Sequence, residues 1–229
     1  MLETGVRILR LLTAAVTGEP VSPLPVHEQL AAAWHVPPQH SPLIRAALVL
    51  SADHEFNASA FAARVVASTG AHLYGSTIAG LAAINGPRHG GVTREVARLF
   101  DDPGKPERQP RDQAVPGFGH PLYPDGDVRA ATLFDMMHDA LPDSPALKAA
   151  ERLAAGLEAG GAGRPNIDFA TVTLERALGL PQESALALFL LGRTVGWVAH
   201  ALEQAAQHTL IRPRARYVGP RPAVRALST

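Results

Sequence analysis

Between residues 184 and 202 the chain reads Ser184-Ala185-Leu186-Ala187-Leu188-Phe189-Leu190-Leu191-Gly192-Arg193-Thr194-Val195-Gly196-Trp197-Val198-Ala199-His200-Ala201-Leu202. It is long, rich in Ala and Leu, and contains a single formal charge, Arg193. Apolar residues recur at three- and four-residue spacings, which predicts a helix from Ser184 to Gln207. An arginine inside so apolar a helix is expected to be at least partly buried, and a buried guanidinium needs an anionic partner. Two readings stand side by side. One is an internal salt bridge. The other is a ligand carboxylate, which the planar fork of arginine holds with two parallel hydrogen bonds.

Outward from this segment the same pattern repeats. Helices are expected at Thr4–Thr17, from Ser41 to about Asp53, at about Ser59–Thr69 and Leu73–Ile84, after Gly91, at Asp127–Asp139, Pro145–Glu158 and Asp168–Leu178. Ser41-Pro42 reads as an N-cap and first-turn pair, and Thr93 reads as a cap for the helix after Gly91. Gly and Pro cluster between these runs and act as breaks; Pro20 to Ser41 reads as a proline-rich loop, and 101–126, opened by Asp101-Asp102-Pro103-Gly104, as the most irregular stretch. Alternating β-branched and aromatic runs are nearly absent, so the fold class is all-α.

The composition bounds the function. Hydrophobic residues are 46% and charged residues 18% of 229, enough for a sizeable core. Lys plus Arg and Asp plus Glu are both 21, so the formal net charge is zero. A balanced chain is poorly suited to binding nucleic acid or an anionic membrane surface non-specifically. Arg212-Pro213-Arg214-Ala215-Arg216-Tyr217 is too short to alter that; it reads as a solvated face or a small anion clamp. With no cysteine there is no disulfide, thiolate metal site or cysteine nucleophile. No apolar run is read as reaching transmembrane length and no signal-peptide pattern opens the chain, so a soluble, cytoplasmic protein is expected.

Three of the ten histidines stand in glycine- or acid-flanked junctions: His54 in Asp53-His54-Glu55-Phe56-Asn57, His89 in Pro87-Arg88-His89-Gly90-Gly91, and His120 in Pro116-Gly117-Phe118-Gly119-His120. Each has a structural reading. The chemical alternative is a neutral imidazole that donates a hydrogen bond to a developing oxyanion. A zinc site lacks the expected His-Glu-x-x-His pair or cysteine ligands, so no metal is assigned. Asp168, in Asn166-Ile167-Asp168-Phe169, is either a helix N-cap or a carboxylate whose apolar neighbours suit it to general-base work. There is neither a P-loop nor a glycine-serine nucleophile elbow.

Taken in order, these strings resemble the citrate synthase family. Ala52 to Ser59, Asn85 to Gly91, Pro116 to His120, Asp127 to Ala130, Asn166 to Phe169, Arg193 to His200 and Arg212 to Arg214 match that family's motifs in order and spacing, from about Leu43 onward. The resemblance implies a two-domain helical fold, with 1–91 and 181–229 forming a large domain and 92–180 a small one on the CoA side. It implies condensation of acetyl-CoA with oxaloacetate to citrate and CoA. Asp168 would take the α-proton, His89 would stabilise the enol or enolate, and His120 would polarise and protonate the oxaloacetate carbonyl. Arg129, Arg193 and Arg212, helped by His54 and Asn57, would hold carboxylates, with Arg212 reaching in from the other subunit of a homodimer. Val115, Pro116, Gly117, Phe118 and Gly119 would line the CoA site. No cofactor beyond the acyl-CoA co-substrate is implied. Propionyl-CoA, giving 2-methylcitrate, is an alternative donor, and a non-catalytic citrate- or CoA-binding subunit is another reading.

The sequence also departs from the family. The His-Glu-Phe-Asn motif comes early, so the resemblance implies a short member lacking the usual N-terminal helices, with a second polypeptide as a possible source of them. Thr93 stands where Asn is usual, Pro121 and Pro124 replace Arg and Lys, and Val128 replaces Pro. Loss of two cations beside the CoA path predicts weaker CoA binding or a changed acyl donor.

Overall fold

Ten α-helices and one short 3-10 turn make up the regular structure of the computed structural model, which describes residues 2–102 and 114–220. They are α1 (Leu2–Thr17), α2 (Val26–Ala33), α3 (Ser41–Leu50), α4 (Ala58–Ser68), α5 (Leu73–Ile84), α6 (Val92–Asp101), α7 (Val128–Ala140), α8 (Pro145–Ala159), α9 (Ile167–Ala177) and α10 (Ser184–Gln207). Among the described residues the only β pairing is an isolated bridge between Phe118 and Pro165. The expected all-α class is the observed one.

Side-chain caps explain where several helices start. Asn57, Asp127, Ser144 and Asn166 each accept a backbone N–H from the first turn of α4, α7, α8 and α9. Four expectations need correction. The proline-rich stretch holds α2 and the turn Pro38–His40, because Pro25 supplies a fixed φ just ahead of the helix and Leu30 is fully buried. Ser41 is the first residue of α3 and His40 takes the cap position. That helix also stops at Leu50, three residues short of Asp53. Thr93 lies inside α6, where its hydroxyl donates to the Gly90 carbonyl, and Gly91 takes the cap position. Part of the expected irregular stretch, including Pro103 and Gly104, lies outside the described residues.

α10 is the axis of the structure. It packs against α3, α4, α5 and α9 and touches α1. Its length and composition are those of a membrane span, contrary to the expectation from the sequence, but 56% of its most apolar window is buried against other helices. The largest apolar cluster joins Leu30, Leu43 and Ile44 to Leu133, Met137, Ile167 and Leu188, so it unites α2 and α3 with α7, α9 and α10. A second, around Val96, Phe118, Ala150 and Phe169, holds α6, α8 and α9 together. A third sets Trp197 against Ala60, Ala63 and Ile84. A Cβ at Gly80 would lie 2.5 Å from Trp197 Cδ2, so the indole needs glycine there.

Candidate functional site

The start of the loop between α3 and α4 is held by α10. The Arg193 Nε–H donates to the Ser51 carbonyl at 2.8 Å, and the Gly196 N–H donates to the Ala52 carbonyl at 3.0 Å. Glu55 takes a left-handed conformation (φ 53°), which turns the chain into α4. His54 thereby faces the 120–123 turn. Its Nε2 lies 3.0 Å from the Tyr123 hydroxyl, and its ring meets that of His120 edge to face at 5.0 Å. Asn57 is engaged by the fold: Oδ1 accepts from Ala60 N and the Ser59 hydroxyl, and Nδ2 donates to the carbonyls of His54 and Glu55.

His89 lies in the tight turn between α5 and α6. A Cβ on Gly90 would come within 2.7 Å of the Ile84 carbonyl, so the turn closes only with glycine there. The His89 Nε2 is 2.7 Å from Ser59 Oγ, and that oxygen also accepts the Trp197 indole N–H at 3.0 Å. The other face of the imidazole is free of this network and meets Phe189 edge-on at 5.8 Å.

The segment 115–120 is docked on the start of α9. The Gly119 N–H donates to the Arg164 carbonyl (2.8 Å), Asn166 N to the Gly117 carbonyl (2.8 Å), and Asn166 Nδ2 to the Gly119 carbonyl (3.0 Å). Gly117 and Phe118 are buried, Val115 and Pro116 half-buried and Gly119 exposed. Leu122 N–H donates to His120 Nδ1 at 3.1 Å, which leaves the ring proton of a neutral His120 on Nε2. Asn166 caps α9 by accepting Asp168 N–H. The N-cap reading of Asp168 is therefore corrected: Asn166 does that work and the Asp168 carboxyl is left for other uses.

Three cationic or acidic groups complete the cluster. Arg129 is 8% exposed and forms a two-bond pair with Asp127 (2.9 and 2.8 Å); Asp127 also accepts Ile167 N–H. The Arg129 guanidinium lies over the Tyr123 ring at 5.3 Å. Arg193 is 2% exposed, lies over Phe189 at 5.0 Å, and has no ion pair among the described residues. The internal salt bridge considered for it is not formed among the described residues.

The electrostatics join these groups into one region. Burial, and then repulsion from Arg129, pulls the Arg193 guanidinium down to about 10. Arg129 is already paired with Asp127, so Arg193 is the guanidinium left without an ion pair among the described residues. Burial raises the Asp168 carboxyl to about 6, against the pull of Arg129 and Arg193. Burial, with the same arginines and His120 adding to it, lowers His54 to about 4. Burial and Arg193 lower His89 to about 4, and burial and Arg129 lower His120. All three imidazoles are therefore neutral near pH 7, while Asp168 is mostly ionised. So His54, His120 and Arg129 gather around Tyr123, His89 and Arg193 share Phe189, and Asp168 is coupled electrostatically to Arg129 and Arg193. Arg212 does not: it is exposed beyond the end of α10 and has no hydrogen bond or ion pair among the described residues.

Sequence reasoning missed Tyr123, Ser59, Asn166 and Asp127 as parts of the site. Ser59, Asp127 and Asn166 lie within the matched strings, but only the fold shows what they touch.

The described region thus holds neutral histidines, a carboxyl raised by burial and a buried arginine with no ion pair among the described residues. The model of the citrate synthase C-terminal domain matches residues 6–214. The chain belongs to the citrate synthase family. It is 35% identical over 225 residues to the citrate synthase of Mycolicibacterium smegmatis, covering 87% of this chain and 58% of that protein. It is 34% identical to 2-methylcitrate synthase 1 of Corynebacterium glutamicum, covering 75% of this chain and 48% of that protein. It spans about half the length of these curated relatives. The solved structure of citryl-CoA lyase from Hydrogenobacter thermophilus superposes with a TM-score of 0.74 at 25% identity, covering 90% of both chains.

Proposed function

We propose that this protein joins the α-carbon of an acyl-CoA to the carbonyl carbon of oxaloacetate, giving citryl-CoA and, on hydrolysis, citrate and CoA. The observation that carries this reading is the Asp168 carboxyl, raised by burial, freed from capping by Asn166 and electrostatically coupled to Arg129 and to Arg193, which has no ion pair among the described residues. A thioester α-proton is too weakly acidic for a carboxylate unless charge on the oxygen is stabilised at the same moment.

In this reading Asp168 accepts the α-proton as the thioester becomes its enol or enolate. His89 donates from Nδ1 to the thioester oxygen. That tautomer requires Nε2 to accept the Ser59 hydroxyl, so the Ser59 proton leaves Asn57 Oδ1, which keeps the Ala60 N–H. The nucleophilic carbon attacks the ketone of oxaloacetate, and His120 Nε2–H polarises that oxygen and protonates the resulting alkoxide. Arg193, the open edge of Arg129 and His54 hold the carboxylates. Val115 to Gly119 line the CoA path, with prolines at 121 and 124 in place of cations. In the same reading Arg212, exposed beyond the end of α10, would serve the site of a second copy in a homodimer rather than its own.

A second reading is favoured by one observation, the 90% mutual coverage with a citryl-CoA lyase. There the same residues run in reverse: His120 takes the hydroxyl proton, the carbon–carbon bond breaks, and Asp168 returns a proton to the enolate. Incubation of the folded protein with citryl-CoA separates the two. Citrate and free thiol mark the synthase; oxaloacetate and acetyl-CoA without free thiol mark the lyase. In the forward direction, acetyl- and propionyl-CoA with oxaloacetate distinguish citrate from 2-methylcitrate formation. No turnover in any of these assays would remove the catalytic reading and leave a citrate- or CoA-binding subunit.

A further inference from the structure

α10 carries Arg193, Gly196 and His200 at spacings of three and four residues, which puts them along one face. That face runs along the loop that bears His54. Arg193 holds the Ser51 carbonyl, Gly196 holds the Ala52 carbonyl, and His200 Nε2 lies 3.2 Å from Asp53 Oδ1. The Phe56 ring packs on His200 at 5.1 Å, and the Arg64 guanidinium lies over the same ring at 5.1 Å.

Arg64 fixes how His200 bonds. It is 7% exposed; its Nε donates to Gln204 Oε1 at 2.8 Å and its Nη1 to the Glu203 carboxylate and to His200 Nδ1, the latter at 3.3 Å. Arginine has no acceptor, so His200 Nδ1 must accept, and the ring proton stands on Nε2, aimed at Asp53. The loop needs such a hold. Asp53, Glu55 and Phe56 are exposed and Glu55 has a left-handed backbone, so little apolar burial fixes residues 53–56.

We propose that His200, with its tautomer set by Arg64, is a positioning residue: it holds Asp53 and so keeps the His54 loop in register for binding of the keto-diacid. The carboxylate role of His54 rests on the function proposed above; the positioning itself does not. His200 touches no substrate in this account.

Two variants separate positioning from general support of the fold. His200→Phe keeps a ring against Phe56 and removes both hydrogen bonds. His200→Gln keeps an amide that accepts from Arg64 and donates to Asp53. Their readouts are oxaloacetate KM, acetyl-CoA KM, kcat, thermal melting and the side-chain 15N resonances of His54. His200→Phe should raise oxaloacetate KM roughly tenfold, with acetyl-CoA KM and kcat within about twofold, and His200→Gln should recover most of the loss. In the same variant the His54 resonances should shift. Unchanged oxaloacetate KM and unchanged His54 resonances in His200→Phe overturn the proposal, as does a glutamine variant no better than phenylalanine. If the wild type turns nothing over, the resonances decide alone: a shift in His200→Phe supports the positioning role although the enzymatic reading has failed, and no shift overturns both.

Discussion

Ser59 Oγ lies 2.7 Å from His89 Nε2 and also receives the Trp197 indole N–H. One buried hydroxyl therefore ties a histidine of the α5–α6 turn to the central helix. Ser59→Ala leaves the indole N–H without its partner and His89 free to turn. It should lower stability by about 1–3 kcal/mol and kcat by roughly ten- to a hundredfold, with a smaller change in oxaloacetate affinity. Steady-state kinetics beside a thermal melt test this; unchanged kcat in folded protein counts against the role of His89.

Asp168 makes activity and stability oppose each other. Its folded pKa, about 6, lies above the ordinary 3.8, so the folded state binds more protons than the unfolded state between those values. The sign follows: this group costs stability as pH rises from about 4 through about 6, and the full cost remains above. Asp168→Asn should therefore raise stability at pH 8 by up to ~3 kcal/mol, with much less gain at pH 4. For the wild type, kcat/KM should rise with pH through an apparent pKa near 6, because the base must be ionised. Urea unfolding at the two pH values and a pH–rate profile measure both.

Arg193 is a buried cation with no carboxylate partner among the described residues, so its removal should affect the ligand more than the fold. Arg193→Leu should weaken oxaloacetate binding by about 2–4 kcal/mol while changing unfolding free energy by less than about 1.5 kcal/mol. Titration calorimetry with oxaloacetate is the test. Unaltered affinity would refute the carboxylate role.

Gly80 links packing to the site at a distance. A Cβ there would strike the Trp197 ring, whose indole supports Ser59 and through it His89. Gly80→Ala should cost about 2–3 kcal/mol of stability and lower kcat through displacement of the indole. A melt with wild-type midpoint would show that the ring has room to move.

Long apolar periodicity made most of the fold legible: the bounds expected for α5 and α10 are those observed. α2 escaped because Pro20, Pro23, Pro25, Pro37 and Pro38 read as breaks, although Pro25 fits just ahead of a helix and Leu30 and Ala31 bury its one apolar face. The three histidines, Asp168 and Arg193 stood out by composition around them. Their partners did not. Tyr123 reaches His54 across 69 residues and Ser59 reaches His89 across 30, distances over which no local pattern carries information. The division of labour between Asn166 and Asp168 also needed the fold, since either side chain can cap a helix.

The most direct test of the account is product analysis by mass spectrometry with oxaloacetate and acetyl-CoA, comparing wild type with Asp168→Asn at matched folded concentration. The predicted result is a new carbon–carbon bond, as citrate or citryl-CoA, from the wild type and at least about a thousandfold less from the variant. Equal product from both proteins would contradict the assignment of Asp168 as the group that takes the proton.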